Sequence, residues 1–401
     1  MNSKDFLADA PGRIVASSAY EIRILDGVRG TIPVPTPAFL PDSLPPRLDW
    51  PRVLGRITPE LIDAERALAR LEGRARGVLE PRILMGPFWR REARLSSLIE
   101  DTVTTPERLA VAEVNPEASE SETREVFNYL AALRHGRESN LPICGRLIRE
   151  MHAILLTGVR GEQDLPGKYR TEQNYIGSGA LGVARARFVP PPPSEVERSM
   201  ADFESFLNLT PRPLPELVII PLAHYQFECI HPFRDGNGRL GRLLILLSLC
   251  RGEVLSQPWI YISDYLERNR DTYRDLLLRV STHGDWEAWL RFMLIGFAES
   301  ARSASESVER ILALRDELRG RVTSPRSSAL LLTMVDRLFE RPVINVKQAM
   351  ELLGVSHTAV RGHLKRLVDL GILEEIVGGG RQQYWLARSI LDASDAPGQS
   401  Q

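Results

Sequence analysis

Two apolar helical segments joined by a short polar loop constrain this chain more than any other feature. Residues 217–230 and 239–250 are apolar at helical spacing, and both are predicted to be buried helices. Between them, Pro232 cannot continue the first helix, and Asp235-Gly236-Asn237-Gly238 is a strong turn signal. A polar loop is therefore predicted between two core helices, with its glycines just before a helix N-terminus.

The glycines and arginines of this loop suit the binding of a polyphosphate. Gly236 and Gly238 stand where successive backbone N–H groups point outward and the helix dipole adds positive potential. Arg239 and Arg242 are three residues apart, so they lie on one face of the first helical turn. Two guanidinium groups beside such a site match the several negative charges of a polyphosphate.

Three further residues complete a set suited to chemistry at a phosphoryl group. His231 is the group that titrates near neutral pH, which makes it the natural general base. Asp235 suits Mg²⁺, which prefers one or two carboxylates together with phosphate oxygens. Phe233 is predicted to point into the core and to anchor the loop. A base, a metal ligand, an anion site and a pair of cations together predict attack on a phosphoryl group.

The segment from His231 to Arg242 resembles the signature of Fic-domain proteins. That signature is histidine-proline-phenylalanine, any residue, an acid, then glycine-asparagine-glycine-arginine and a second arginine three positions further on. Every specified position is present. The resemblance implies a protein adenylyltransferase that moves AMP from ATP-Mg²⁺ onto a Tyr, Ser or Thr hydroxyl of a target protein, with the chain itself as one candidate target.

The resemblance also implies a role for each residue of the loop. His231 would deprotonate the target hydroxyl, while Asp235 and Asn237 would serve metal and phosphate. Relatives that act as kinases carry lysine at the position of Gly238, so glycine there favours transfer of AMP. The implied nucleotide-binding residues, of which the last two would bind the β- and γ-phosphates, are Phe233, Arg234, Gly236, Asn237, Gly238, Arg239 and Arg242.

A second stretch, residues 167–177 followed by Phe188-Val189-Pro190, contains glycines and β-forming residues that suggest a hairpin. It resembles the family's flap, which lines up the target segment by strand pairing. The flap residues expected from this resemblance are Lys168, Tyr169, Thr171, Gln173 and Asn174.

The stretch from Ser96 to Glu100 resembles the inhibitory helix of the subclass with an N-terminal inhibitor. In that helix a glutamate reaches the second arginine of the signature and blocks productive binding of the γ-phosphate. Ser96 and Glu100 are four residues apart and so share a helix face. The family usually has glycine or asparagine after the glutamate, whereas this chain has Asp101, an extra acid that would either strengthen or misplace the inhibitor.

The last part of the chain reads as helix, helix, turn, helix and hairpin, which is the order of a winged helix-turn-helix. Helices are predicted at 328–339, 345–353 and 357–370, with strands at 372–377 and 383–386. Such modules bind DNA, but others serve in dimerisation or docking, and acidic residues lie close by. The residues expected to face DNA are His357, Thr358, Arg361 and Lys365 on the third helix, with Arg381 at the wing.

The expected fold is mainly α: a Fic helical core with a β-hairpin flap, plus a C-terminal winged-helix domain. Helices are predicted at 88–98, 119–135, 140–157, 194–208, 214–230, 237–251, 265–279 and within 285–320, with another starting at Thr58 as its N-cap. The expected regions are a Pro-rich irregular arm (1–50), a helical region with the inhibitory helix (51–110), the Fic catalytic domain with its following helices (111–320), the winged helix (325–390) and a disordered tail (391–401).

Composition narrows the partners and the compartment. A formal net charge of -1 gives no whole-chain attraction to nucleic acid or membranes. The three cysteines form no CxxC pair, which suits a reducing compartment, and no apolar run reaches the ~20 residues that a membrane span needs. A cytoplasmic protein without a membrane partner is expected, and a homodimer is left open.

Three functions remain open at this point. The first is an AMP-transferase restrained by Glu100. The second is a DNA-binding regulator whose Fic domain senses nucleotide. The third uses the same site in reverse, with Glu100 as the base for a water molecule that removes AMP from a modified protein.

Overall fold

The structure is a computed structural model that describes residues 5–7, 10–25, 28–78, 80–159, 161–163, 165–177, 182–323, 329–377 and 383–395. The chain divides into two compact units. Unit 1 comprises Met1–Glu65, Ala131–Gly252 and Arg268–Gly296, and unit 2 comprises Arg66–Leu130, Glu253–Glu267 and Phe297–Gln401.

Helices dominate the described residues, as the sequence predicts. They are α1 (Trp50–Arg76), α2 (Arg82–Ile99), α3 (Pro106–Ala112), α4 (Ser121–Glu138), α5 (Gly145–Leu155), α6 (Pro193–Leu207), α7 (Glu216–Ile230), α8 (Asn237–Arg251), α9 (Ile262–Arg268), α10 (Arg270–His283), α11 (Trp286–Val322), α12 (Ala329–Glu340), α13 (Val346–Leu353), α14 (His357–Asp369) and α15 (Arg388–Asp395).

The predicted helices are confirmed to within a few residues at most ends, with two exceptions. The single helix predicted at 265–279 is wrong, because Asn269 separates α9 from α10, and the predicted start of α1 is also wrong. The sequence predicts an N-cap at Thr58, whereas the helix begins at Trp50 and continues through Pro59. Upstream, the carboxylate of Asp49 accepts a hydrogen bond from the backbone N–H of Arg52 (3.2 Å), which supports an earlier helix start. The Thr58 hydroxyl instead donates to the carbonyl of Leu54, four residues back (2.7 Å).

The N-terminal segment is not the predicted irregular arm but a long antiparallel hairpin. Strands β1 (Gly12–Leu25) and β2 (Val28–Pro41) pair along their whole length. The N–H of Phe39 donates to the carbonyl of Val189 (2.9 Å) and therefore points away from β1. In an antiparallel pair the N–H groups of alternate residues share this direction. Pro33, Pro35 and Pro37 stand at the same alternate positions as Phe39. Their backbone nitrogens face the edge of β2 away from β1, where the lack of an N–H removes no hydrogen bond to β1.

In unit 1, α7 and α8 pack closely against each other next to the loop that joins them. Every residue of α7 from Leu217 to Phe227 is buried, as are most residues of α8. A Cβ atom at Gly241 would lie 2.2 Å from Oε1 of Glu228 and 3.2 Å from Cδ1 of Phe227, so a larger residue there would have to displace the Glu228 carboxylate and press on the Phe227 ring. This close approach fixes both ends of the loop.

In unit 2, the C-terminal elements pack directly on α2. Arg90 is 5% exposed and donates from Nη1 to the carbonyl of Glu340 (2.8 Å) and from Nη2 to that of Phe339 (3.1 Å). These carbonyls belong to the last turn of α12, which has no intrahelical donors for them. Nη1 of Arg90 also pairs with Glu113 (3.1 Å), and Arg94 pairs with Asp395 of α15.

The remaining C-terminal elements follow the predicted order. Strands β3 (Val343–Ile344), β4 (Glu374–Val377) and β5 (Gln383–Leu386) form an antiparallel sheet in the order β3-β5-β4. Asn345 caps α13 in a capping box with Gln348, and Ser356 caps α14. The predicted disordered tail is wrong for residues 391–395, which belong to α15 because Ile390 and Leu391 are buried. Residues 396–401 lie outside the described part.

Across the described helices, none has an apolar stretch of the length that a membrane crossing requires.

Gly86 provides a test of the packing of α12 on α2. A Cβ atom there would lie 2.5 Å from the carbonyl oxygen of Glu340 and 3.0 Å from that of Phe339. We expect Gly86→Ala to lower the free energy of unfolding by about 1–3 kcal/mol, because backbone would have to shift. Gly320→Ala in α11 is the matched control, since nothing lies within 4 Å of its Cβ position. The control should gain about 0.5–1 kcal/mol. Equal denaturant midpoints for the two variants would contradict the packing.

Candidate active site

His231 ends α7 in a left-handed conformation, and its ring contacts the last turn of that helix. Its backbone has φ 49° and ψ 60°, and its N–H donates to the carbonyl of Phe227 (2.9 Å). The ring atom Nδ1 lies 3.3 Å from the carbonyl of Glu228. A carbonyl can only accept, so Nδ1 carries the proton and Nε2 is the basic nitrogen. The geometry therefore defines which atom can take a proton from a substrate.

The loop after His231 is held by side chains from other segments. Arg170 donates from Nε to the carbonyl of His231 (2.8 Å). Asn174 donates from Nδ2 to the carbonyl of Phe233 (2.7 Å). His152 of α5 holds the carbonyl of Asp235 at 3.0 Å from Nε2. Because these bonds come from outside the loop, its shape depends on the flap and on α5.

His152 is a fully buried histidine with one defined tautomer. Its Nδ1 accepts from the N–H of Gly167 (2.8 Å), so Nε2 carries the proton that it donates to the carbonyl of Asp235. Burial lowers the pKa of His152 to about 4, with the hydrogen bond to Asp235 acting in the opposite direction. The ring also stacks on Phe233, with centroids 3.7 Å apart.

The side chains of Phe233 and Asn237 hold the loop from inside. Phe233 is 0% exposed, which confirms that it anchors the loop in the core. Asn237 is 1% exposed, accepts from the backbone N–H of Phe233 and donates to its carbonyl, both at 2.9 Å. The amide of Asn237 and both backbone groups of Phe233 are thus engaged in shaping the loop, and nucleotide binding by these two residues stays a prediction.

The N-terminus of α8 has the form of an anion site. Gly236 is its N-cap, with φ 76°, a conformation that glycine adopts without strain. With no side chain there to cap the helix, the first-turn N–H groups are suited to a bound anion. Arg239 and Arg242 follow in the first turn and a half, and they are 3% and 1% exposed. Burial lowers the pKa of His224 to about 3, and the positive charge of Arg242 is the second cause of this decrease.

Asp235 has the geometry of a single carboxylate ligand for Mg²⁺. It is partly exposed, and its Oδ1 accepts from the N–H of Gly236 (2.7 Å), which leaves Oδ2 directed toward Gly161. Among the described residues, no group of three or more His, Cys, Asp or Glu side chains is placed to hold a metal. One carboxylate fits an ion that takes most of its ligands from phosphate oxygens.

The flap is a loop with one antiparallel bridge rather than the predicted hairpin. Among the described residues, Ile176 and Phe188 alone form this bridge, because a turn at 183–185 and the prolines that begin at Pro190 leave little strand on the second side. Tyr169 packs against Phe233 (5.4 Å between centroids), and burial raises its pKa to about 12. Gln173 donates to the carbonyl of Pro190 (2.8 Å), whereas Lys168 and Thr171 are exposed.

Arg234 is the exposed member of the loop. Its Nη1 lies 3.4 Å from Oε2 of Glu172 in the flap, with side-chain exposures of 45% and 53%. An ion pair this exposed contributes little to stability. Arg234 therefore links loop and flap at the surface, where a target or nucleotide is able to displace it.

The candidate inhibitory residues lie at the end of α2. Ser96 is buried, and Glu100 is the exposed C-cap residue with φ −97°. Asp101 follows with φ 62°, in the left-handed region that glycine and asparagine adopt most readily after a helix. The backbone at position 101 therefore requires a residue that tolerates the left-handed conformation. In this chain that residue is an aspartate instead of the family's usual glycine or asparagine.

The four candidate DNA-facing residues on α14 are exposed, as predicted: His357, Thr358, Arg361 and Lys365. Lys365 is partly neutralised, since its Nζ lies 3.0 Å from both carboxylate oxygens of Asp369. Arg381 lies outside the described residues.

Two residues that hold the site do not belong to the loop pattern. Arg170 stands between the predicted flap residues Tyr169 and Thr171, and the sequence gives it no role. His152 lies within an apolar helical segment, which predicts a core residue or one that supports the site indirectly. The signal that could have found Arg170 is the need for donors at the C-terminus of α7, where the carbonyls lack intrahelical partners. For His152 the sequence offers only a histidine in an apolar helix.

The buried state of His152 predicts a pH-dependent stability. Its pKa is about 4 in the folded protein and about 6.5 when unfolded, so the unfolded chain binds the extra proton as pH falls between these values. Stability is therefore lost over that window. Between pH 7.5 and pH 5.5 we expect the wild type to lose on the order of 1 kcal/mol more unfolding free energy than His152→Gln. Urea unfolding at the two pH values measures this, and parallel losses in both proteins would refute it.

Comparison with known proteins identifies two regions of the chain that match described protein families. The profile described as Fic/DOC family N-terminal matches residues 58–138, and that of the Fic/DOC family matches residues 142–249. A protein adenylyltransferase Fic from Aedes aegypti is 35% identical over 128 residues, which are 32% of this chain and 22% of that protein. A protein adenylyltransferase fic-1 from Caenorhabditis briggsae is 29% identical over 222 residues, or 52% and 38% of the two chains.

The chain thus spans well under half the length of these curated relatives. A solved Fic family protein from Desulfovibrio desulfuricans aligns over 83% of this chain and 95% of its own, with a TM-score of 0.52 and 21% identity, which supports the fold. The two matches, and a loop in which every position of the signature is filled, show that the chain carries a Fic/DOC N-terminal region at residues 58–138 and a Fic domain at residues 142–249.

Proposed function

We propose that this protein transfers AMP from ATP-Mg²⁺ to a hydroxyl group of a target protein. The observation that carries this proposal is the placement of a basic imidazole nitrogen, Nε2 of His231, at one end of a loop whose other end is the uncapped N-terminus of α8. The curated relatives named above are protein adenylyltransferases, and their names support the same chemistry.

In this reaction Nε2 of His231 removes the proton from the target hydroxyl. The hydroxyl oxygen attacks the α-phosphorus, a new P–O bond forms, and the bond between the α-phosphorus and the bridging oxygen of the β-phosphate breaks. Pyrophosphate leaves with the bonding electrons, and the target keeps AMP as a phosphodiester. The N–H groups of α8 and the charges of Arg239 and Arg242 oppose the negative charge of the phosphates.

Mg²⁺, held at Asp235 and by phosphate oxygens, would offset the charge of the triphosphate and of the leaving pyrophosphate. The side chain of Asp235 is kept in place at Oδ1 by Gly236, while its carbonyl is fixed by His152. The metal ligand and the base are thus mounted on one short loop. Its rigidity helps to align the attacking oxygen, because misalignment costs rate steeply.

Glu100 is proposed to restrain this activity. The support is its place at the exposed end of α2 in the pattern that begins at Ser96, together with the match of residues 58–138 to the N-terminal region of the family.

The proposed location is the cytoplasm. Free thiols at Cys144, Cys229 and Cys250 support it, because a reducing compartment keeps cysteines in this form.

Labelling with ATP that carries the label on its α-phosphorus tests the transfer. We expect the wild type to label itself or proteins of a lysate, and ATP labelled on the γ-phosphorus to give no signal. His231→Ala should reduce labelling by at least about 10²-fold, because general-base catalysis contributes about this much. Label transferred from the γ-phosphorus, or unchanged transfer by His231→Ala, would rule out the proposed reaction.

The same assay tests the restraint. Glu100→Gly should label more strongly than the wild type, whereas Glu117→Gly, which removes an exposed acid elsewhere in unit 2, should not. Equal labelling by both variants and the wild type would remove Glu100 as inhibitor. If the wild type instead releases AMP from a modified target and Glu100→Gly does not, the net direction of the reaction is reversed.

A second candidate function is DNA binding through α14. The observation that favours it is the exposure of Thr358, Arg361 and their neighbours on the outer face of this helix, which follows a capped turn as in a winged helix-turn-helix. The modest charge of this face and the pairing of Lys365 with Asp369 speak against strong binding.

A mobility-shift selection from random duplex DNA at physiological salt separates the candidates. Specific binding should enrich one sequence and should weaken in Arg361→Ala, since a base contact by arginine contributes about 1–3 kcal/mol. Binding without sequence preference at that salt concentration excludes a DNA-reading role. In that case the module is assigned to docking or dimerisation, which sedimentation of the full chain measures.

A further inference from the structure

Arg170 forms hydrogen bonds to three consecutive carbonyl groups around the proposed base. Its Nη2 donates to the carbonyl of Ile230 (3.3 Å), its Nε to that of His231 (2.8 Å), and its backbone N–H to that of Pro232 (2.9 Å). Three successive peptide groups that bracket the imidazole are therefore oriented by one residue.

The other side of the same guanidinium is fixed in the flap segment. Nη1 donates to the carbonyl of Glu172 (3.2 Å) and Nη2 to that of Pro191 (2.6 Å). Pro191 lies in the proline run before α6, and Glu172 lies two residues from Arg170 itself. With both sides bonded, the planar fork of the arginine has little freedom to rotate.

The conformation of His231 requires such support. A residue with a Cβ atom is destabilised in the left-handed region, and it persists there only where the surrounding structure holds it. At His231 φ is 49°, and the bond from its N–H to Phe227 fixes only the side of the peptide that faces the helix. The bonds from Arg170 fix the other side.

The positive charge of Arg170 has no carboxylate partner among the described residues. It is 3% exposed, and burial lowers its pKa to about 10. Its acceptors are carbonyl oxygens, two of which lie at the C-terminus of α7, where the helix dipole is negative. An uncharged side chain of similar volume would avoid the desolvation of a charge, yet it would leave these carbonyls without donors.

Given the proposed function, we propose that Arg170 is a positioning residue for the base: its guanidinium holds His231 in the left-handed conformation that presents Nε2 to the target hydroxyl. Arg170 does not itself touch the reacting atoms. It acts on the peptide groups of Ile230, His231 and Pro232. The N-terminus of α8, which faces the phosphates, is outside its reach of hydrogen bonds.

The test compares Arg170→Met, Arg170→Lys and the surface control Arg198→Met, whose side chain in α6 is 60% exposed. For Arg170→Met we expect kcat for AMP transfer to fall by about 10²-fold, as for an ångström-scale misplacement of a reacting group. The Kd for ATP-Mg²⁺ should stay within roughly twofold, because the phosphate site is intact. Arg170→Lys should be intermediate, since an ammonium group has three donors but no planar fork. The control should match the wild type.

A second readout does not depend on activity. In protein labelled with ¹³C-histidine, and with His231→Ala for assignment, the Cα shift of His231 reports its backbone conformation. Loss of the left-handed value in Arg170→Met supports the proposal, and retention of that value overturns it. So does a parallel change of kcat and of the Kd for ATP-Mg²⁺. If the wild type transfers no AMP, the proposed function fails and the Cα shift alone decides; if Arg170→Met does not fold, Arg170→Lys decides by the same two measurements.

Discussion

The carbonyl groups between α7 and α8 are the constraint on which the site depends. A loop that joins two buried helices must find donors for these groups, because buried polar groups without partners are costly. Here the donors come from other segments: Arg170 serves the carbonyls at 230–232, Asn174 and Asn237 share that of Phe233, and His152 serves that of Asp235. The shape of the loop is therefore a property of the whole unit.

Burial determines the charge state of these donors. His152 is neutral at physiological pH because its pKa is lowered to about 4, and its Nδ1 can accept from the N–H of Gly167 only while it stays unprotonated. Arg170 keeps its charge despite burial, since its pKa is lowered only to about 10. One neutral and one charged donor thus support the two ends of a single loop. A rigid, water-poor arrangement of this kind is what electrostatic stabilisation of a transition state requires.

The sequence predicts most of the helices and the loop, because both depend on local patterns. Apolar spacing identifies α7 and α8, and the turn residues between them identify the loop. The hairpin at 12–41 was missed, since the effect of Pro33, Pro35 and Pro37 depends on which strand edge they face, and that edge is set by the pairing partner.

The supporting residues of the site illustrate a second limit. Asn237 belongs to the signature, but no spacing shows that its amide bonds to the backbone of Phe233 instead of to a ligand. Arg170 bonds to carbonyls 60 or more residues away, which a pattern of neighbours in the chain does not encode. Contacts at this separation require the tertiary structure.

The position of Arg90 has a consequence for the C-terminal elements. It ties the last turn of α12 to α2, the helix that ends at Glu100, and Arg94 adds a tie to α15. A ligand that bound α14 only after α12 had left α2 would have to supply the free energy of these bonds. Because the linkage between two equilibria is reciprocal, any change that weakened the packing of α12 on α2 would strengthen the binding of that ligand by the same factor. For such a ligand, the contacts of Arg90 and Arg94 would link binding at α14 to the packing of α2, although neither arginine need touch the ligand.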